Sequence, residues 1–184
     1  MGRPAVFLDR DGVLNEAVLH DGRPHPPVSA DEVVLRPGAA TACARLRAAG
    51  FLLVMVTNQP DIARGITTRA AVDHINDRLV TELALDAACV CPHDDADACG
   101  CRKPQAGLIL DAADRFDVDL GASLMVGDRW RDIAAGAAAG VSTVWVRSTY
   151  REQAPNDPDH VIDGLDELVP IAMHTLSHAE ETSR

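Results

Sequence analysis

Residues 5–12 read AVFLDRDG. Four apolar residues run without a polar break into two aspartates and a glycine, the pattern of a strand buried on both faces that ends in a turn. The same pattern recurs along the chain: FLLVMV (51–56) precedes TNQ, SLMV (123–126) precedes GDRW, and STVWV (142–146) precedes RST. Between these segments the apolar spacing predicts helices over 39–49, 68–85, 106–116 and 131–139, the first and last of these stopping before Gly50 and Gly140. A last helix is expected over 165–176. Alternation of this kind predicts right-handed βαβ units in a doubly wound, mostly parallel α/β sheet of the Rossmann-like type, with helices on both faces. Ligands of such sheets bind at the carboxyl ends of the strands, where the polar tripeptides fall.

Two segments break the alternation. Residues 15–37, NEAVLHDGRPHPPVSADEVVLRP, hold four of the eleven prolines and are expected to form a lid or substrate-facing loop. Residues 89–104, CVCPHDDADACGCRKP, hold four of the five cysteines. The 184 residues are otherwise expected to form one domain spanning 1–184, long enough to bury roughly 70% of its unfolded surface. The tail HAEETSR (178–184) is expected to fray.

The formal net charge of -11 argues against nonspecific nucleic-acid binding, which needs a basic surface. The chain has no apolar run of membrane-spanning length, and the N-terminal apolar segment is too short for a signal peptide. The expectation is a cytoplasmic protein without nucleic-acid or membrane partners, for which a monomer suffices. Thiols stay reduced in that compartment, so clustered cysteines point to a metal rather than to disulfides.

Asp9 and Asp11 flank Arg10 where the first strand runs out, and the period of an extended chain puts both carboxylates on one side. Such a pair either divides acid and base roles or holds a divalent cation. Alone, a D-x-D-G is also ordinary turn chemistry. Asp128 and Asp132 follow another strand in GDRWRD and would lie one turn apart on a helix starting near Arg129. Either alone reads as a capping or surface aspartate. A second acidic pair at a strand end suits Mg2+, which favours a few carboxylates plus waters and phosphate oxygens. Thr57 and Asn58 end another strand with donors suited to phosphate, though Thr-Asn is also common in turns.

Cys91, His93, Cys99 and Cys101 make C-x-H-x5-C-x-C within eleven residues. Three thiolates and one imidazole close a tetrahedral Zn2+ site with no open position, as structural zinc does. Cys89 reads as a small packing residue beside the cluster, Cys43 as core, and Asp94, Asp95 and Asp97 as a solvated loop tip. Arg102 and Lys103 follow the last thiolate, so a zinc clamp would present two cations to an anionic ligand. In isolation they read as a solvated basic pair.

FLDRDGVLN, TNQ, CRKP and VGDRWRD, in that order and at these separations, resemble the haloacid dehalogenase-like phosphatases. The C-x-H-x5-C-x-C insert narrows the resemblance to the zinc-containing branch with heptose-bisphosphate and histidinol-phosphate phosphatases. TNQPDIARG is closer to the heptose version. The resemblance spans about residues 5–146 and implies a Mg2+-dependent hydrolase acting on the C7 phosphate of a heptose 1,7-bisphosphate, with short loops in place of a cap domain. It implies Asp9 as nucleophile, Asp11 as general acid then base, and Thr57 and Lys103 as stabilisers of the transferring phosphoryl group. Mg2+ would be held by Asp9, the Asp11 carbonyl and Asp128, with Asp132 in support. Asn58, Gln59, Arg102 and Arg129 would contact a small phosphorylated sugar.

The chain departs from that pattern where Pro60-Asp61 replaces Ser-Gly after TNQ, where Arg129 replaces Lys, and in a shorter zinc loop. These departures leave the chemistry in place and bear on substrate identity. Two other readings stand beside it: a phosphatase of histidinol phosphate or another small phosphomonoester, and a non-catalytic phospho-acceptor or zinc-stabilised binding module on the same scaffold.

Overall fold

The structure is a computed structural model that describes residues 2–182. The chain opens with β1 (Ala5–Leu8), every residue of which is buried. A two-stranded antiparallel hairpin follows, β2 (Val18–His20) and β3 (Arg23–His25). Next come α1 (Ala39–Ala48), β4 (Leu52–Asn58), α2 (Arg69–Leu83) and β5 (Ala87–Cys91). Then α3 (Gly107–Phe116), β6 (Leu124–Gly127), α4 (Trp130–Ala139), β7 (Ser142–Val146), β8 (His160–Ile162) and α5 (Leu168–Thr182) complete the chain. Six strands form one sheet in the order β5-β4-β1-β6-β7-β8, and every pairing in it is parallel. The expected doubly wound α/β architecture is therefore present.

Side chains of successive strand residues alternate between two cores. Val6, Leu8, Leu53 and Met55 join a cluster covered by α1, α2 and α5, whereas Ala5, Phe7, Leu52, Val54 and Val56 join one covered by α3 and α4. Full burial of each large apolar side chain stabilises the fold by about 1.5–3 kcal/mol, which is why the strands read as unbroken apolar runs. Gly136 lets α4 lie close on β6, since a Cβ there would sit 2.7 Å from the Met125 Cβ.

Four features differ from the sequence-based expectations. The 15–37 segment contains a hairpin rather than only a loop. Its turn is Asp21-Gly22, with φ of 52° and 75°, a two-residue turn whose positive φ values match the strand twist. β5 went unassigned because AACVC lacks large branched residues, and β8 because it is three residues long. The last helix starts later than expected, after a 3-10 turn at Leu165–Glu167. It runs on through residue 182, so residues 178–182 are helical, while 183–184 lie outside the described residues.

The strand order decides where a site forms. From β1 the chain moves to β4 and β5 on one side, then crosses to β6, β7 and β8 on the other. The carboxyl ends of β4, β1 and β6 are thus neighbours at the point where winding reverses, a favoured ligand position.

Candidate active site

Asp9 follows β1 directly and continues its ladder, its N–H donating to the Val126 carbonyl at 2.9 Å. Its carboxylate accepts from Lys103 Nζ at Oδ1, 2.7 Å away. The same ammonium reaches Asp132 Oδ1 at 2.6 Å and the Val56 carbonyl at 2.8 Å. Lys103 is only 2% exposed, so these oxygens replace its water shell. Burial alone would lower its pKa, but Asp132 and Asp9 outweigh that and raise it. Burial pushes Asp9 up to about 6 against the pull of Lys103, with Asp132 adding repulsion.

Asp128 follows β6 directly and is buried. Tyr150 donates its hydroxyl to Oδ2 at 2.6 Å, while Oδ1 has no hydrogen-bond partner among the described residues. Burial, then Asp9 and Asp132, raises its pKa well above the usual carboxylate range. Gly12, at φ 90°, makes room for it: a Cβ there would meet Asp128 Oδ2 at 1.8 Å. Asp132 sits in the first turn of α4 and accepts from the Arg129 N–H at 3.0 Å. Oxygens of Asp9, Asp128 and Asp132 all lie within 4.8 Å of one another. Three buried carboxylates with one ammonium leave negative charge uncompensated, and one buried Asp128 oxygen has no hydrogen-bond partner among the described residues. That donor set fits a hard divalent cation such as Mg2+.

Asp11 is held from three sides. Arg10 donates to it through Nε (3.2 Å) and Nη2 (2.9 Å), Asn15 through Nδ2 (3.0 Å) and Gln59 through Nε2 (3.1 Å). Gln59 also donates to Thr57 Oγ1 at 2.9 Å, joining Asp11 to the end of β4. Arg10 is wholly buried and anchored by Asn76 Oδ1 at 3.0 Å. Sequence reasoning passed over Arg10, although an arginine between two aspartates at a buried strand end was the signal available. Tyr150 carried no such signal.

A cavity of about 650 Å3 opens above these groups and is lined by Asp9, Asp11, Thr57, Gln59, Lys103 and Asp132. Asn58, Arg102, Arg129 and hairpin residues 22–26 line it as well. Asn58 spends both ends of its amide on the backbone of Lys103, donating to its carbonyl at 2.9 Å and accepting from its N–H at 3.1 Å. Arg129 is clamped to Glu152 by two bonds of 2.8 and 2.7 Å. Arg102 donates to Asp95 at 2.8 Å, and Arg131 to the same carboxylate at 2.9 Å. Asp94 accepts two bonds from Arg64, which also pairs with Asp61. The acidic tip is therefore not simply solvated: Asp94 and Asp95 pin three arginines at the rim, because the loop folds back onto the cavity. The Asp61 charge is likewise partnered rather than presented bare to the rim.

The sulfurs of Cys91, Cys99 and Cys101 stand 3.1–3.7 Å apart, and His93 Nδ1 lies 3.6 Å from Cys91 Sγ and 3.3 Å from Cys101 Sγ. A tetrahedral zinc with bonds of about 2.3 Å spaces its sulfurs by roughly 3.7 Å, so the four ligands fit one ion. Crowding splits the free thiols, with Cys101 pushed up to about 12 by burial and its neighbours. Cys89 stays outside this group and packs against the α3–α4 core, and Cys43 is buried in α1. Cys101 precedes Lys103 by two residues, so the loop that carries this cluster also delivers the ammonium to Asp9.

A HAD-hydrolase-like family model matches residues 100–168. The D-glycero-beta-D-manno-heptose-1,7-bisphosphate 7-phosphatase of Bordetella bronchiseptica is 40% identical over 149 residues, covering 78% of this chain and 80% of its own. The enzyme of the same name from Escherichia coli is 38% identical over 180 residues, covering 90% and 92%. The crystal structure of the D,D-heptose 1,7-bisphosphate phosphatase from B. bronchiseptica complexed with magnesium and phosphate superposes with a TM-score of 0.78 at 35% identity, covering 95% of this chain and 99% of that one. The shared fold over nearly the full length and these identities place the chain in the HAD-like phosphatase family, with the heptose-bisphosphate phosphatases just described as its relatives.

Proposed function

We propose that this protein is a Mg2+-dependent phosphatase that hydrolyses the C7 phosphate of D-glycero-D-manno-heptose 1,7-bisphosphate through an aspartyl-phosphate intermediate. The observation that carries the reading is Asp9, buried at the head of the cavity with one oxygen on Lys103 and the other free of hydrogen bonds among the described residues. Asp9 Oδ2 attacks phosphorus in line with the C7 oxygen, and the P–O7 bond breaks as the new P–Oδ2 bond forms. Asp11 gives its proton to the departing oxygen, then takes one from the water that releases phosphate from Asp9. Gln59 and Asn15 keep that carboxyl aimed, and Arg10 anchors it from below. Thr57 and Lys103 donate to the phosphoryl oxygens in the transition state.

Asp9, Asp128 and the Asp11 carbonyl would hold Mg2+, with Asp132 in support, and the ion would neutralise the phosphoryl oxygens. Zn2+ on Cys91, His93, Cys99 and Cys101 is structural in this reading. It fixes the 89–104 loop and so places Arg102 and Lys103. A site that needs free thiolates suits a reducing compartment, and the cytoplasm is the proposed location. The 15–37 segment serves as the substrate-facing cover of a single domain. Arg102 Nη2 and Arg129 Nη1 make none of the bonds above and can donate to the sugar phosphate, as can Gln59; Asn58 acts on substrate through Lys103.

Replacing Asp9 by Asn tests the reading. Turnover of the heptose bisphosphate should fall by roughly three orders of magnitude or more, while zinc content and thermal midpoint hold. Retained phosphate release would remove Asp9 from the role of nucleophile. The matched relatives are named for the β anomer, which makes it the first substrate to assay.

A further inference from the structure

Six arginines line the cavity: Arg23, Arg64, Arg102, Arg129, Arg131 and Arg151. Four are committed to carboxylates, Arg64 to Asp61 and Asp94, Arg102 and Arg131 to Asp95, and Arg129 to Glu152. Among the described residues, Arg23 and Arg151 have no carboxylate partner. Arg102 and Arg131 share the one Asp95 carboxylate, so uncompensated positive charge remains at that pair and on Arg23 and Arg151, of which only the latter two are free of any carboxylate among the described residues.

The fold brings them together from opposite ends of the chain. Arg23 is the first residue of β3, immediately after the Asp21-Gly22 turn. The Arg151 N–H donates to the Gly22 carbonyl at 2.9 Å, docking the segment after β7 onto the hairpin tip. Its stem then lies across that turn: a Cβ on Gly22 would be 3.0 Å from both Cγ and Cδ of Arg151. The absence of a side chain at Gly22 is what lets the Arg151 stem cross the turn that Arg23 follows, and both side chains line the one cavity.

We propose that Arg23 and Arg151 form a two-cation subsite for the distal anionic group of the substrate, which for a sugar bisphosphate is the phosphate that is not cleaved. The proposal rests on the functional reading above and names the residues that select its substrate class. An arginine already paired with a carboxylate offers a directed N–H but little net charge. An unpaired one offers both, and its planar fork matches phosphate oxygens. In a chain of net charge -11, a second phosphate gains most where positive charge is uncompensated. A phosphomonoester whose far end carries an ammonium, as histidinol phosphate does, would meet like charge at the same place.

The experiment compares kcat/KM for the heptose 1,7-bisphosphate, the heptose 7-phosphate and histidinol phosphate in wild type, Arg23→Ser, Arg151→Ser and the double variant. Each single change should lower the ratio of bisphosphate to 7-phosphate by about ten- to hundredfold, mainly through KM, and the double variant further. Arg23→Lys and Arg151→Lys should recover part of that ratio, which separates lost charge from lost packing. A wild-type preference for the bisphosphate that the Ser variants leave unchanged would overturn the subsite alone. Wild-type enzyme that ignored the bisphosphate and hydrolysed histidinol phosphate would overturn the functional reading and the subsite with it.

Discussion

The carboxylates beneath the cavity come from residues 9, 128 and 132, brought together only because β1 and β6 are neighbours, whereas the thiols and imidazole beside it come from eleven consecutive residues. The first group is assembled by sheet topology and leaves an Asp128 oxygen without a partner. The second is assembled by a loop and turns its three sulfurs and the His93 Nδ1 on one another. An unfinished donor set keeps room for substrate oxygens, while a closed one holds a loop in place. Lys103 joins them, since it sits two residues beyond the last thiol and ends on Asp9.

The comparison can be broken at its joints. The Asp9→Asn loss marks its upper end. Lys103→Met should come next, lowering kcat by about a hundred- to a thousandfold. It also leaves Asp9 and Asp132 buried without their cation, which should cost about 3–5 kcal/mol in urea unfolding. Turnover within a few fold of wild type would show that the loop delivers nothing to the floor. Cys99→Ser attacks the other cluster: metal analysis should find no zinc, the thermal midpoint should drop by several degrees, and kcat/KM should fall about tenfold or more as Arg102 and Lys103 lose their anchorage. Unchanged kinetics in zinc-free protein would mean the loop holds its shape without the metal.

Smaller effects sharpen the division. Asn58→Ala removes the amide that holds both sides of the Lys103 peptide, and should cost about 1–2 kcal/mol of transition-state stabilisation, read as kcat/KM. A change confined to KM would instead favour direct contact with substrate. Cys89→Ala should leave zinc stoichiometry at its wild-type value and destabilise by about 1 kcal/mol. Loss of zinc there would bring Cys89 into the ligand set.

Much of this was legible from local pattern. Buried parallel strands are continuous apolar runs, so β1 and β7 could be delimited to the residue, and α1 to α4 to within a few, whereas α5 runs well past its expected end. The thiol cluster was legible because its spacing is a short-range property. The hairpin left a local signal, Asp21-Gly22, that a reading based on prolines passed over. β5 left almost none, since small residues at the sheet edge satisfy strand geometry without displaying strand composition.

The sequence by itself determined the alternation of strands and helices, the acidic residues at the strand ends and the C-x-H-x5-C-x-C cluster, because these follow from backbone periods and from neighbours a few residues apart. Only the tertiary structure decided that Lys103 bridges Asp9 and Asp132, that Arg10 anchors Asp11, that Asp95 and Glu152 occupy rim arginines, and that Arg23 and Arg151 are left without carboxylates among the described residues. Which charge meets which depends on strand order and on contacts between residues distant in the chain, and no local period encodes that pairing.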